Sequence, residues 1–170
     1  MSPIKKKICL LGDVGVGKTS LIRRFVENIF DDSYLTTIGV KVSQKRISLT
    51  GEKDVLMMIW DVEGFNKPGM VSPNYFMGAA GAMVVCDLSR QESIENLEPV
   101  IRDFHRISNK GKIVLAGNKA DLVGASHPGR LLFRETARQL DLPFFETSAL
   151  NGQNVAACFE TLCRKIIDPS

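Results

Sequence analysis

An α/β fold, a mostly parallel sheet of about six strands with one antiparallel edge strand and helices on both faces, follows from three features of the 170-residue sequence. Short apolar runs of strand length alternate with stretches whose apolar residues recur at helical spacing, the pattern of a parallel sheet covered on both sides. Two adjacent runs in the first third are joined by a turn and read as a hairpin, which makes one edge antiparallel. Internal repeats, low-complexity tracts and long linkers are absent, so residues 1–170 are expected to form one domain.

The elements follow in order. Ile4 to Leu11 is a short strand, followed by a glycine-rich turn and then Leu21, Ile22, Phe25 and Val26 at helical spacing. The segment holding Thr36 and Thr37 is polar and reads as a loop. Val40 to Leu49 alternates apolar and polar residues, Thr50-Gly51-Glu52-Lys53 supplies a turn, and Val55 to Trp60, with Met57 and Met58, reads as a buried strand. Ala82 to Cys86 and Ile113 to Ala116 are further buried strands. Between them Leu97, Val100, Ile101 and Phe104 mark a helix stripe. Leu131 to Leu140 is helical, Pro143 to Thr147 is extended with Phe144 and Phe145 as core on one face, and Val155, Phe159, Leu162 and Ile166 define a last helix.

Composition narrows the function classes. With 44% apolar and 24% charged residues the chain is neither disordered nor fibrous, and at this length it buries roughly 70% of its unfolded surface without needing staples. The 22 Lys+Arg against 19 Asp+Glu leave a net charge of only +3, too weak a field for nucleic-acid binding. The run Lys5-Lys6-Lys7 reads as a solvated terminus. Cys9, Cys86, Cys158 and Cys163 show no CxxC pairing or zinc spacing and are expected to be reduced core thiols of a cytoplasmic protein. His105 and His127 match no metal or triad spacing. Apolar stretches are too short to span a membrane, and no CaaX box ends the sequence, so peripheral membrane association would need an anchor or partner outside this chain.

The chemistry is carried by short motifs. Gly12-Asp13-Val14-Gly15-Val16-Gly17-Lys18-Thr19 matches GxxxxGK[ST] between an expected strand and an expected helix. Glycines let the backbone wrap an anion with N–H groups inward, the helix N-terminus adds positive potential, Lys18 can reach terminal phosphates, and Thr19 can hold magnesium. Chance supplies this pattern in a chain of this length only about 0.5% of the time, so it points to a P-loop NTPase fold. Asn118-Lys119-Ala120-Asp121 follows a strand ending at Gly117, at the carboxyl edge where ligands of this architecture bind. The Asp121 carboxylate can accept from the adjacent N1–H and N2–H₂ of guanine, and adenine offers no such donor pair. Asp61-Val62-Glu63-Gly64 fits DxxG, which chance supplies about 60% of the time, so its place at the end of a buried strand is what informs. Asp61 can hold magnesium through a water, the Gly64 N–H can meet a terminal phosphate, and Thr36 or Thr37 can add a metal ligand.

Taken together these residues resemble a small GTPase of the Ras superfamily, most similar to the Rab branch, over essentially the whole chain. GDVGVGKTSLIRRF is similar to that family's phosphate loop and first helix, TTIGV to its first switch, WDVEG to its second, NKAD to its base motif and ETSA to its last nucleotide loop. The resemblance implies a guanine-nucleotide switch using GTP, GDP and Mg²⁺. It implies nucleotide contacts from Asp13, Val14, Gly15, Val16, Gly17, Lys18, Thr19 and Ser20, with Phe30 packing on the base. Asn118, Lys119, Asp121, Ser148, Ala149 and Leu150 would complete the base pocket, where the Ser148-Ala149 backbone reads the guanine carbonyl. Thr19, Thr37 and Asp61 would hold the metal, and Lys18, Thr37 and Gly64 would act in the transfer. Effectors would bind through the two switch segments, with exchange and activating proteins as further partners.

Two departures bear on the rate. The family usually reads WDTAGQE where this chain reads Trp60-Asp61-Val62-Glu63-Gly64-Phe65-Asn66, so Phe65 stands in place of the water-orienting glutamine. Val14 occupies a loop position where a small residue is common, and its branch crowds an arginine supplied by a partner. Leu150 replaces a common lysine. GTP hydrolysis with a slow intrinsic rate is therefore expected, and the alternative is a GTP-dependent interaction module with negligible hydrolysis. A P-loop kinase lacks a spare segment for acceptor site and lid.

Overall fold

The computed structural model describes residues 2–26, 34–37, 40–49, 51, 53–62 and 72–168. Its strands are β1 (Ile4–Leu11), β2 (Tyr34–Thr37), β3 (Val40–Leu49), β4 (Lys53–Val62), β5 (Ala79–Asp87), β6 (Lys112–Asn118) and β7 (Phe144–Glu146). They form one sheet in the order β2-β3-β4-β1-β5-β6-β7. β3 runs antiparallel to β2 and β4, and the pairs β4-β1, β1-β5, β5-β6 and β6-β7 are parallel. The mostly parallel sheet with one antiparallel strand is thus present. The short β2 extends it outward from β3, in a segment whose four residues are too few and too polar to show a strand period.

The helices are α1 (Lys18–Phe25), α2 (Gln91–Glu95), α3 (Leu97–Ile107), α4 (Pro128–Gln139) and α5 (Val155–Ile167). Successive strand residues point to opposite faces, so β1 sends Ile8 and Leu10 into one core and Cys9 and Leu11 into another. The first core is closed by α1 and α5 through Leu21, Phe25, Phe159 and Leu162, and the second by α2, α3 and α4 through Ile94, Leu97, Phe104 and Phe133. Phe25 of α1 stacks on Phe159 of α5 with ring centroids 4.2 Å apart. Burying a side chain of this kind stabilises by roughly 1.5–3 kcal/mol, and the stacked pair adds about 0.5–1.5 kcal/mol, which anchors the helix that begins with Lys18 and Thr19.

Several local expectations change. Lys5, Lys6 and Lys7 do not form a solvated tail: they lie within β1, opposite Leu56, Met57 and Met58 of β4. The Lys7 ammonium sits 3.8 Å from the Trp60 ring centroid and donates to the Met77 carbonyl at 2.8 Å. Burial lowers its pKa, with the Cys9 sulfur opposing the shift. Met57 is fully buried whereas Met58, on the other face of β4, is only half-buried. Phe144 and Phe145 split between the two cores, because adjacent strand residues face opposite ways.

All four cysteines are free and buried, as expected of core thiols. Burial pushes Cys9 up to about 12 and Cys163 to about 11, so neither is a thiolate near neutral pH. His127 accepts a hydrogen bond from the Gly129 N–H and caps α4, and His105 Nε2 lies 3.0 Å from the Gly111 carbonyl. Both are structural. Among the described residues no helix is long and apolar enough to cross a membrane.

Candidate functional site

The parallel strands β1, β5 and β6 end on one edge of the sheet, and the loops leaving them carry the candidate residues. The loop after β1 is set by backbone crowding. Gly12 has φ 143°, and a Cβ there would meet the Val85 carbonyl oxygen at 2.2 Å; Gly17 has φ 102°, and its Cβ would meet Asn118 Nδ2 at 2.3 Å. Any side chain at either place would force the loop off the sheet. Lys18 opens α1, yet its ammonium folds back to donate to the Gly12 carbonyl at 2.6 Å and the Asp13 carbonyl at 3.1 Å. Val16 is buried, Val14 is half exposed, and Ser20 is exposed on the first turn of α1.

On the same edge the Thr19 hydroxyl donates to Asp61 Oδ2 at 2.6 Å, bringing together the start of α1 and the end of β4. The register explains the meeting, since Asp61 pairs with Leu10, two residues before Gly12. Val14, Gly15, Gly17, Lys18, Thr19, Ser20, Asp61 and Lys119 line one cleft of about 470 Å³. A hydroxyl and a carboxylate at hydrogen-bond distance, beside a loop too crowded for side chains at two glycines, form a hard-oxygen set suited to magnesium. Thr37 ends β2, where it pairs with Val40; its side chain, and Phe30, Gly64 and Phe65, lie outside the described residues.

The loop after β6 supplies the other wall. Asn118 is buried; its amide donates to the Val16 carbonyl at 2.9 Å and its oxygen accepts from the Thr147 hydroxyl at 3.1 Å. Lys119 adopts φ 64°, which turns its chain back toward the phosphate loop, where the ammonium donates to the Gly15 carbonyl at 2.7 Å and pairs with Asp87 Oδ2 at 3.0 Å. Asp121 is exposed and accepts from the Ser148 hydroxyl at 2.7 Å. Ser148 in turn accepts from the Asn151 N–H at 3.2 Å, so the 118–121 and 147–151 loops are stitched together. Ala149 is half-buried and Leu150 is strongly exposed.

Residues that the sequence reading did not single out hold these loops. Asn96 donates to both carboxylate oxygens of Asp13, at 3.2 and 2.9 Å, and Arg90 donates to the Val14 carbonyl at 3.0 Å. Arg130 donates to the carbonyls of Ala120, Val123 and Gly124, and with Arg134 it grips Glu146 just before the Thr147-Ser148 loop. Burial alone would raise the Glu146 carboxyl, but hydrogen bonds and charge from Arg134 and Arg130 hold it below its ordinary value. Asp87 behaves the same way: burial opposes ionisation, and Ser89 with Lys119 overcomes it. Only Asp87, ending the strand beside β6, could have been inferred, from its place at that edge. Among the described residues no cluster of three His, Cys, Asp or Glu could hold a metal by itself.

Comparison with known proteins agrees with this geometry. The model of the Ras family matches residues 7–168 of the chain. The chain is similar to GTP-binding protein ypt1 of Schizosaccharomyces pombe, with 35% identity over 161 residues, covering 94% of this chain and 79% of the relative.

The Asp87–Lys119 pair gives a prediction with a definite sign. The carboxyl is held below its unfolded value of about 3.9, so its stabilising effect is complete above that pH and is lost as pH falls through the lower folded value. Urea unfolding of wild type and Asp87→Asn across pH 7 to 3 is expected to show a stability difference that is largest above about pH 5 and shrinks below about pH 4. A difference that stays constant through that range would mean the carboxylate charge is not what holds Lys119.

Proposed function

The chain belongs to the Ras family, and from that premise we propose that it is a one-domain, Rab-like molecular switch that binds GTP and GDP with magnesium and hydrolyses GTP slowly. The observation that carries the reading is the meeting, at one sheet edge, of the Gly12–Thr19 loop and the Asn118–Asp121 loop, interlocked through Asn118 and Lys119. Phosphates fit the loop that Lys18 caps. A base would sit at the far end, where Asp121 meets guanine's donor pair and the Ser148-Ala149 backbone meets its carbonyl, with Phe30 against the ring and Leu150 at the rim.

Thr19, Thr37 and Asp61 would hold magnesium, whose charge would offset that of the terminal phosphates. Lys18, Thr37 and the Gly64 N–H would stabilise the transferring phosphoryl group. Thr37 and Gly64 belong to the two switch segments, which would change with the terminal phosphate and present themselves to effectors, exchange proteins and activating proteins. The buried, unpaired thiols favour a reducing, cytoplasmic setting.

A second reading, a GTP-dependent interaction module with negligible hydrolysis, is favoured by one feature. Phe65 offers no group to orient water, and the half-exposed Val14 crowds the cleft where a partner's arginine would enter.

Base choice is tested with Asp121→Asn, which puts a donor where guanine presents donors and xanthine a carbonyl. Calorimetry is expected to show guanine-nucleotide affinity weakened by roughly 2–4 kcal/mol and xanthine nucleotides preferred. Unchanged guanine affinity would remove the base assignment.

The rate is tested with Phe65→Gln. Restoring an amide should raise single-turnover hydrolysis about tenfold or more, roughly 1.4 kcal/mol of barrier. A flat rate, with Glu63→Ala or Asn66→Ala slowing the reaction, would show that water is already positioned by another side chain and would overturn the slow-switch reading.

A further inference from the structure

Arg90 lies outside every motif, yet it touches the phosphate loop. Its Nη1 donates to the Val14 carbonyl at 3.0 Å, and a Cβ built on Gly15 would lie 3.5 Å from the same nitrogen. Val14 and Gly15 both line the cleft. The backbone of Arg90 is fixed from both sides: its N–H donates to the Asp87 carbonyl at 2.9 Å, and its carbonyl accepts from the Ser93 N–H at 3.1 Å and the Ser93 hydroxyl at 2.7 Å. The root of the side chain is therefore fixed while its end is exposed.

Charge separates Arg90 from Lys119, Arg130 and Arg134. Lys119 pairs with Asp87, and Arg130 and Arg134 share the single carboxylate of Glu146. Arg90 pairs with no carboxylate among the described residues. Among the described residues its guanidinium is held by a neutral carbonyl, an interaction worth little against a multiply charged phosphate. The Val14 side chain that obstructs an arginine arriving from outside belongs to the same residue whose carbonyl parks an arginine the chain already carries.

We propose that Arg90 is this chain's own charge-stabilising arginine, leaving the Val14 carbonyl to donate to the terminal phosphate oxygens of bound GTP. The inference rests on the GTP-hydrolysing reading of the site. In the step it assists, the oxygen of water forms a bond to the γ-phosphorus while the bond to the β–γ bridging oxygen breaks. The electron pair of that bond stays on the departing diphosphate, and the proton of the water ends on the released phosphate. Arg90 gives up neither proton nor electrons. Its planar fork of permanently charged N–H donors meets the charge that spreads over the phosphoryl and bridging oxygens. An arginine supplied from within the same chain can serve phosphoryl transfer as well as one from a partner. Arg90 does not replace the water-orienting group, so the wild-type rate stays low and falls further without it.

Single-turnover hydrolysis of GTP with magnesium by wild type, Arg90→Ala and Arg90→Lys tests this, alongside GTP and GDP affinities and formation of a GDP–aluminium fluoride complex without any partner protein. Arg90→Ala is expected to slow hydrolysis at least tenfold and to abolish the aluminium fluoride complex while both affinities stay within threefold, with Arg90→Lys recovering only part of the rate. An Arg90→Ala rate equal to wild type would overturn the proposal. So would an equal loss of GTP and GDP affinity with an unchanged rate in the bound fraction, which is the signature of a loop brace. If wild type takes up no guanine nucleotide, the functional reading itself fails, a result distinct from either.

Discussion

The buried amide of Asn118 is the contact on which the site depends. It donates to the Val16 carbonyl in the middle of the phosphate loop and accepts from Thr147 at the start of the last loop, so one side chain joins three segments far apart in sequence. Its position follows from the sheet: β6 lies beside β5 in register, Asp87 opposite Asn118, and β5 lies beside β1. The contact also explains a glycine. Only a residue without a Cβ leaves room for the amide at Gly17, and the same residue's left-handed backbone starts α1 with Lys18 aimed back over the loop. An amide in a dry site that lost either partner would leave a buried polar group unpaired, at a cost of about 1–3 kcal/mol, which favours keeping the loops at 12–19, 118–121 and 147–151 together.

Around this contact the structure arranges charge in layers. Carboxylates sit behind the cations rather than facing the cleft: Asp87 behind Lys119, Glu146 behind Arg130 and Arg134. Each carboxylate stays ionised despite burial because its partners donate to it directly. The cations then spend their remaining donors on loop carbonyls, Lys119 on Gly15 and Arg130 on Ala120, Val123 and Gly124. Paired charges thereby act as braces that fix the loop backbone. Asp61 with Thr19 stands apart, in the cleft itself.

Much of this was legible in the sequence because it is local. The strand Ile4–Leu11 and the α3 stripe of Leu97, Val100, Ile101 and Phe104 follow from period alone, and the loop and base motifs carry their own spacing. What escaped is non-local. Arg90 and Asn96 reach partners 76 and 83 residues away, and no pattern in one sequence links such positions. The lysines of β1 misled because charge suggests solvent, whereas an aromatic face and a free carbonyl give Lys7 a place in the sheet. Phe144 and Phe145 misled because a strand only three residues long still alternates its faces.

The claim at the centre of this account is that the edge bearing Asn118 receives a guanine nucleotide. The most direct measurement is the identity and phosphate count of the nucleotide released by denaturing protein purified in the presence of magnesium. The account predicts guanosine di- or triphosphate in amounts approaching one per chain. An adenine nucleotide in its place, or no nucleotide together with no uptake of added GTP or GDP, would contradict it.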